Sequence, residues 1–347
     1  MALQSSGAIS LADIAGEFGG SAPHSLSEYY GVASGIPASG QISFSQFYGK
    51  ANIFALDINT SNGGVYVQNM NLSSYATANG WDGSAPIDLD VNNVVYSTSS
   101  SSPALLVNVA NTTIKNNSWI LGRGGDGGDS SLSGSGGAPG DGTAAIQITV
   151  TGVTVTNYSG KWISGGGGGG VGGYFAGGGG GGGGGQGGDG SRNGSLNGRV
   201  GASGGSIGNN GGAPVEGKDS GDRYGANCGG AGGAGTAWFD GGGDGGGGGG
   251  RVYPNNAKSC LGPYAYQGHH GGSGGGPGLP GGTTTGPWSP TSGVYSPNFG
   301  PRGGSYAGGG GGGYGANGEG NPSSAGAAIT SSQPYTLSNS GTINGST

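Results

Sequence analysis

Charged residues are scarce in this sequence: they make up 8% of the 347 positions, and the formal net charge is −6. Nucleic acids and anionic membranes are bound by clusters of Lys and Arg, so this balance argues against both as partners. Long apolar runs are also missing, because no window reaches the roughly 18–20 apolar residues of a membrane span. The opening Met1-Ala2-Leu3-Gln4 lacks the basic and apolar regions of a signal peptide. We therefore expect synthesis in the cytoplasm, no membrane insertion and no nucleic-acid partner.

Apolar residues amount to only 31% of the chain, which is little for a conventional core of this size. Low hydrophobicity usually indicates disorder, but disordered chains carry far more charge than this one. The composition is instead dominated by 96 glycines without a Gly-X-Y period. Such glycine favours polyglycine type II helices, which have three residues per turn and bond sideways to one another. Glycine loops draped on β structure are the alternative.

Residues 1–50, the N-terminal module, contain a repeated helix-start signature. Ser10, Ser25 and Ser43 are each followed three residues later by Asp13, Glu28 or Gln46, as in a capping box. A glycine that would end each helix follows at Gly19, Gly31 and Gly49. The pattern predicts three helices too short to be stable alone, so their apolar faces should pack on each other or on a partner. As attachment residues we predict Leu11, Ile14, Phe18, Tyr29, Tyr30, Phe47 and Tyr48.

Residues 51–164 are rich in Val, Ile, Thr, Asn and Ser and alternate in short stretches, which predicts β structure. The segment from Ile114 to Gly122 matches the segment from Leu337 to Gly345 position for position, and Val155 to Gly165 matches with two residues inserted. Such repeats are typical of the rungs of one β layer, so we expect residues 326–347 to complete this base domain.

Residues 165–325 form a glycine region with runs at Gly165–Gly170, Gly177–Gly185, Gly245–Gly250 and Gly308–Gly313. Since β rungs precede and follow it, the region should be an insertion that projects outward from the base. The predicted fold is therefore mostly irregular and all-β: a small module of short helices, a solenoid-like or sandwich-like β middle, and a distal bundle of polyglycine type II helices.

Two stretches resemble phage proteins. The segments Ser5-Ser6-Gly7-Ala8-Ile9-Ser10-Leu11, Glu17-Phe18-Gly19-Gly20 and Ser27-Glu28-Tyr29-Tyr30-Gly31 are similar to the N-terminal segment of many phage virion and tail-fibre proteins. The glycine region is similar in style to the distal adhesin of T-even-type long tail fibres. The resemblance implies a receptor-binding protein of the virion, exposed at a tail or fibre tip. Its partners would be a bacterial surface protein or glycan and, through residues 1–50, other tail or fibre proteins, with homo-oligomerisation left open.

Side chains able to support catalysis are not arranged for it. Glu216, Asp219, Asp222, Asp240 and Asp244 are surrounded by glycine, without an apolar wall to raise a carboxyl pKa. The pair His269-His270 supplies fewer ligands than the three or four that a metal centre needs. The segment Gly124 to Leu132 resembles a single, incomplete copy of a calcium-binding nonapeptide. Cys228 and Cys260 could form a disulfide or remain separate thiols. We expect no enzyme, no cofactor and no metal.

Aromatic residues are the remaining signal, with 5 Trp and 16 Tyr in a polar chain. They could plug the ends of the bundle, or they could provide stiff, amphipathic contacts for a receptor. The first glycine run leaves the base and the last one returns to it, so the loops at 171–176 and 283–307 should lie at the far tip. The predicted receptor contacts are Tyr174, Phe175, Trp288, Tyr295, Phe299 and Tyr306. We predict a tail-fibre adhesin, with a structural virion component as the alternative.

Overall fold

The computed structural model describes residues 3–59, 66–128, 138–170, 184, 316–317 and 323–347. Helix α1 (Leu11–Phe18) and two 3₁₀ helices (Leu26–Tyr29 and Phe44–Phe47) make up the N-terminal module. Helix α2 (Leu72–Ala78) lies within the β region. Among the described residues, no helix combines the length and apolar character needed to cross a bilayer.

The three predicted short helices of the module are confirmed, and their capping boxes form. The backbone N–H of Ser10 donates to Asp13 at 2.8 Å, that of Ser25 to Glu28 at 3.0 Å, and that of Ser43 to Gln46 at 2.8 Å. These bonds satisfy amide groups that a helix start leaves unpaired. Because each helix is so short, the caps and the packing between helices determine where each one begins.

The module has its own apolar core, built from residues that follow the capping serines. Ile14, Tyr29 and Phe47 are buried, and the Phe47 ring lies edge-on to Tyr29 with 6.2 Å between ring centroids. Phe18 packs against Phe47 at the same distance. Most of the module's apolar surface therefore faces inward, although Phe44 remains 37% exposed.

Fourteen strands form three parallel sheets among the described residues. The first sheet contains β1 (Phe54–Ile58), β4 (Ile87–Val91), β7 (Thr113–Asn116), β10 (Val153–Asn157) and β13 (Tyr335–Asn339). The second contains β2 (Val67–Gln68), β5 (Val95–Tyr96), β8 (Trp119–Leu121), β11 (Trp162–Ser164) and β14 (Thr342–Asn344). The third contains β3 (Met70–Asn71), β6 (Leu105–Val107), β9 (Ile146–Ile148) and β12 (Ile329–Ser331).

Successive strands along the chain belong to the first, second and third sheet in turn, so the chain winds as a β solenoid with one strand per sheet in each coil. The sequence left a solenoid-like and a sandwich-like architecture open for this region, and the structure is a solenoid. Its interior is lined by the alternate residues of each strand, Ile, Leu and Val above all, which pack in one cluster. Helix α2 adds Leu72 and Ala76 to that cluster.

The repeat in the sequence marks equivalent rungs. Ile114, Val155 and Leu337 lie in register on the first sheet, and Ile120, Ile163 and Ile343 lie in register on the second. The predicted alignment of these segments is thus confirmed by the strand pairing. Neighbouring rungs occupy nearly the same environment, so similar residues recur at each position.

A ladder of three asparagines runs through the bend between the first two sheets. The Asn116 amide donates to Asn157 at 2.8 Å, and the Asn157 amide donates to Asn339 at 2.8 Å. Asn157 also donates to the carbonyl of Thr342 at 3.2 Å. Asn116 and Asn157 are completely buried, so these bonds satisfy polar groups that water cannot reach.

Candidate functional site

Two excursions of the chain leave the solenoid at the same bend, between the second and third sheets. One joins β8 to β9 through residues 122–145, and the other joins β11 to β12 through residues 165–328. We call this bend, with the described residues 122–128, 138–145, 165–170 and 323–328, the glycine corner.

The two outgoing segments of the glycine corner bond to each other at every third residue. The N–H groups of Gly122, Gly125 and Gly128 donate to the carbonyls of Ser164, Gly167 and Gly170 at 2.8, 2.8 and 2.9 Å. A helix with three residues per turn presents equivalent groups to a neighbour at this interval. The spacing is therefore that expected of a polyglycine lattice.

Returning segments bond to the outgoing ones with the same spacing. Gly166 and Gly169 donate to the carbonyls of Thr143 and Gly140 at 2.9 and 3.0 Å, so these two segments run antiparallel. On the other side, Gly326 donates to the carbonyl of Gly166 at 2.8 Å. Sideways backbone bonding, which we expected of Gly165–Gly170, is thus present in the structure. The run Gly177–Gly185, except Gly184, lies outside the described residues, and the distal bundle stays a prediction.

The backbones at the glycine corner approach so closely that no side chain fits between them. A Cβ atom added to Gly166 would lie 1.8 Å from the carbonyl oxygen of Arg123, and one added to Gly165 would lie 1.9 Å from that of Gly326. At Gly122 and Gly142 the nearest carbonyl oxygen would be 2.0 Å away. Real Cβ contacts of this length do not occur, so glycine is required by the close approach of the chains.

An ion pair between a buried arginine and a half-exposed aspartate lies where the corner meets the solenoid. Arg123 is 7% exposed, and its guanidinium donates to the Gly124 carbonyl at 3.0 Å and to the Asp126 carboxylate at 2.7 Å. Nearby, the Asp141 carboxylate accepts from the backbone N–H of Ser324 at 2.6 Å. Polar side chains therefore satisfy backbone groups that the glycines leave without partners.

The first excursion also belongs to this lattice, which was not among the expectations from the sequence. In the sequence, Gly124 to Leu132 resembles an incomplete calcium-binding nonapeptide, but its described residues 124–128 lie in the glycine corner. The signal was present, since Gly122, Gly125 and Gly128 recur at intervals of three. No group of three metal-ligating side chains occurs among the residues that the structure describes.

The predicted receptor contacts and both cysteines lie outside the described residues, as do His269, His270 and the five carboxylates considered for catalysis. Of the predicted attachment residues, Ile14, Tyr29 and Phe47 are buried in the module core, whereas Leu11, Phe18, Tyr30 and Tyr48 are half-buried. Near the end of the long excursion, Ala316 accepts a hydrogen bond from Gly168 at 3.0 Å. The described ends of that excursion therefore lie side by side.

The sequence model of the family "Phage tail fibre adhesin Gp38" matches residues 55–244. This match covers more than half of the chain; it begins in the first strand of the solenoid and includes the glycine corner except for its residues 323–328. The chain belongs to the Gp38 family of phage tail fibre adhesins. The expected resemblance to tail-fibre adhesins is thereby confirmed, and this Gp38 relative is a component of a phage tail fibre.

Among solved structures, this Gp38-family chain is similar to a chain of the structure described as "Crystal structure of the gp37-gp38 adhesin tip complex of the bacteriophage S16 long tail fiber". The sequences are 16% identical, 99% of each chain is covered, and the TM-score is 0.42. No curated protein sequence matches the chain. The N-terminal module, residues 1–50, precedes the part that matches the family.

Proposed function

We propose that this chain attaches a phage to its host by non-covalent binding of a bacterial surface protein or glycan. The aromatic loops at 171–176 and 283–307 would make the contacts, at the tip of a polyglycine bundle that starts in the glycine corner. The observation that carries this proposal is the pairing of Gly166 with Gly326, which holds both ends of the long excursion together at its base. Membership of an adhesin family supports a binding rather than a catalytic role.

The lattice at the base favours a stiff, projecting bundle over loose loops. Each glycine segment there is bonded to neighbours on more than one side, as Gly166 is to Thr143 and Gly326. If the run Gly177–Gly185 continued this lattice, it would extend roughly 28 Å at about 3.1 Å per residue. A rigid support of this kind lowers the entropy lost when its loops bind a receptor.

The direct test is a competition between purified protein and phage for adsorption to host cells. We expect saturating protein to block attachment, and we expect Trp288→Ala and Tyr174→Ala each to reduce affinity by roughly 30-fold. Truncation of a central aromatic contact typically costs about 2 kcal/mol, which corresponds to that factor. Melting temperatures of both variants should equal that of the wild type.

Failure of saturating wild-type protein to compete would contradict the adhesin proposal and favour a structural virion role. If wild-type protein competes but either variant unfolds or binds normally, the assignment of the contact loops is wrong while the adhesin role stands.

We further propose that residues 1–50 hold this adhesin on another tail or fibre protein. The module folds around its own core, so the surface left for a partner consists of exposed Phe44 and the half-buried rings of Tyr30 and Tyr48. The family match begins at residue 55, which separates the module from the part shared with other adhesins.

Phe44→Ser should therefore lower incorporation into phage particles by about five- to ten-fold, as expected for loss of one apolar interface residue. Particle-bound protein, measured by immunoblot of purified phage, gives the result. Ser39→Ala, which changes another exposed residue of the module, is the matched control and should leave incorporation unchanged. Normal incorporation of Phe44→Ser with loss of host competition would reverse the assigned roles of the two ends.

A further inference from the structure

The last coil of the solenoid leaves one side of strand β13 unpaired. In the first sheet, β13 is the outermost strand and pairs only with β10. The Ser340 N–H, just after β13, donates to the Asn157 carbonyl at 2.9 Å. Backbone groups of successive residues in a strand point to opposite sides, so those of Tyr335, Leu337 and Asn339 point away from β10. Within the described residues, these groups have no hydrogen-bond partner.

The apolar interior of the solenoid is incompletely covered at this end. Tyr335, Leu337 and Ile343 pack against the core cluster but are only half-buried. Their equivalents in the preceding coil include Val155 and Ile163, which are completely buried. Because removal of apolar surface from water is favourable, a contact that continues the core beyond the last coil is favoured.

This end of the solenoid carries no charged side chain, because residues 329–347 include no Asp, Glu, Lys, Arg or His. Proteins usually protect an unpaired strand edge with charges or with proline. Pro334 lies in the turn before β13, and β13 itself contains neither a charge nor a proline. Two copies of a chain whose net charge is −6 can therefore meet here without placing like charges opposite each other.

The shape of this end is complementary to itself. The Ile329 N–H donates to the Ser346 carbonyl at 3.1 Å, so the chain has completed one turn and lies one strand above its start. The end is therefore one turn of a spiral ramp, and Leu337 lies close to half-way between positions 329 and 346. A twofold axis through this midpoint, perpendicular to the solenoid, reverses both the climb of the ramp and its direction of travel. The slopes of two such ramps then match.

We propose that two copies of this chain pair end to end through β13, related by a twofold axis at Leu337. The two β13 strands run antiparallel, with Leu337 opposite its own counterpart and Tyr335 opposite the partner subunit's Asn339. These residues direct their backbone groups toward each other, as the hydrogen-bonded pairs of an antiparallel ladder require. The two apolar interiors meet and form one continuous core across an isologous interface.

A dimer of this kind carries two long excursions. If they bind the host as proposed above, the second contact with the same cell becomes intramolecular, which raises the overall affinity without any new contact. The pairing itself is measured without host cells, so its outcome is independent of the adhesin proposal.

Sedimentation velocity of the full-length protein over about a hundred-fold range of concentration tests the pairing, and we expect a reversible equilibrium between monomer and dimer. Hydrogen exchange, followed by mass spectrometry, should slow in the peptide that contains β13 as the dimer forms, because the N–H groups of Leu337 and Asn339 gain acceptors. The peptide that contains β10 is the internal control. This strand already pairs with β7 and β13, so its exchange should not depend on concentration.

Leu337→Lys should weaken dimerisation by about 100-fold or more, because it places two like charges opposite each other at the twofold axis. Thr336→Lys is the matched control: Thr336 is exposed, its backbone faces β10, and the dissociation constant should change by no more than about three-fold. If Leu337→Lys lowers the melting temperature, hydrogen exchange of the wild-type protein decides alone.

Three results would each overturn the proposal. The first is sedimentation as a monomer, or as an assembly larger than a dimer, at every concentration. The second is exchange of the β13 peptide that does not depend on concentration. The third is an equal loss of dimer in the two folded lysine variants.

Discussion

Gly166→Ala is expected to destabilise the protein by about 4 kcal/mol or more, a loss that few single substitutions cause and that here follows from a severe steric clash. The added methyl group would lie 1.8 Å from the Arg123 carbonyl oxygen and 2.3 Å from its carbonyl carbon. Both atoms belong to backbone, so neither can rotate away as a flexible side chain would. Relief would require separating the segments at 123 and 166, which breaks the bonds from Gly122 to Ser164 and from Gly125 to Gly167.

Scanning calorimetry of the variant beside Gly16→Ala measures this effect. Gly16 lies in helix α1, and an added Cβ there meets no heavy atom within 4 Å. That control should be neutral or should stabilise the module by up to about 1 kcal/mol, because Ala favours helix more than Gly does. If Gly166→Ala melts within a degree of the wild type, the backbones at the glycine corner are farther apart than the structure places them.

Asn157→Ala is expected to cost about 3 kcal/mol, the second largest effect. The side chain accepts from Asn116, which is as completely buried as Asn157 itself, and it donates to Asn339 and to the Thr342 carbonyl at the last coil. Alanine would remove the buried acceptor of the Asn116 amide, at about 1–3 kcal/mol before the structure relaxes, and it would also remove two hydrogen bonds to partners that water reaches. The loss should appear as a lower midpoint in chemical denaturation, with intact secondary structure below the transition.

Asn117→Ala is the matched control, since Asn117 is the neighbour of a ladder residue but is half-exposed and has no side-chain hydrogen bond within the described residues. Its midpoint should move by no more than about 0.5 kcal/mol. Equal midpoints for the two variants would show that the ladder contributes nothing to stability.

The later coils of the solenoid could be predicted from sequence because each position repeats its environment. Asn116, Asn157 and Asn339 recur since each must bond to the next, and that requirement appears in the sequence as a period. The first two coils lack the signal: Val91 occupies the position that Asn116 takes in the next rung. A buried apolar residue there needs no hydrogen-bond partner, so the sequence contains no pattern that aligns it with the equivalent residues of neighbouring rungs.

The glycine corner was only partly predictable for a different reason. Gly165–Gly170 is a run long enough to exclude ordinary turns, whereas Gly124-Gly125-Asp126-Gly127-Gly128 has the composition of a turn as well as of a lattice segment. What separates these interpretations is hydrogen bonding to the backbone at 164–170. That partner segment lies much later in the chain, so the local sequence pattern at 124–128 does not reveal it. The aromatic faces of the module were recognised, but their burial against Phe47 depends on how three short helices meet.

The pairing of Gly166 with Gly326 also closes the long excursion at its base and makes it a self-contained insertion. Its two ends are joined by a hydrogen bond at its base, and β12, from Ile329, completes the interrupted coil as though nothing had been inserted. Insertions are tolerated where the flanking backbone is already held in place. Recombination could therefore replace the segment between these two glycines with one of different length or sequence. The structure of the solenoid and of the N-terminal module would not change.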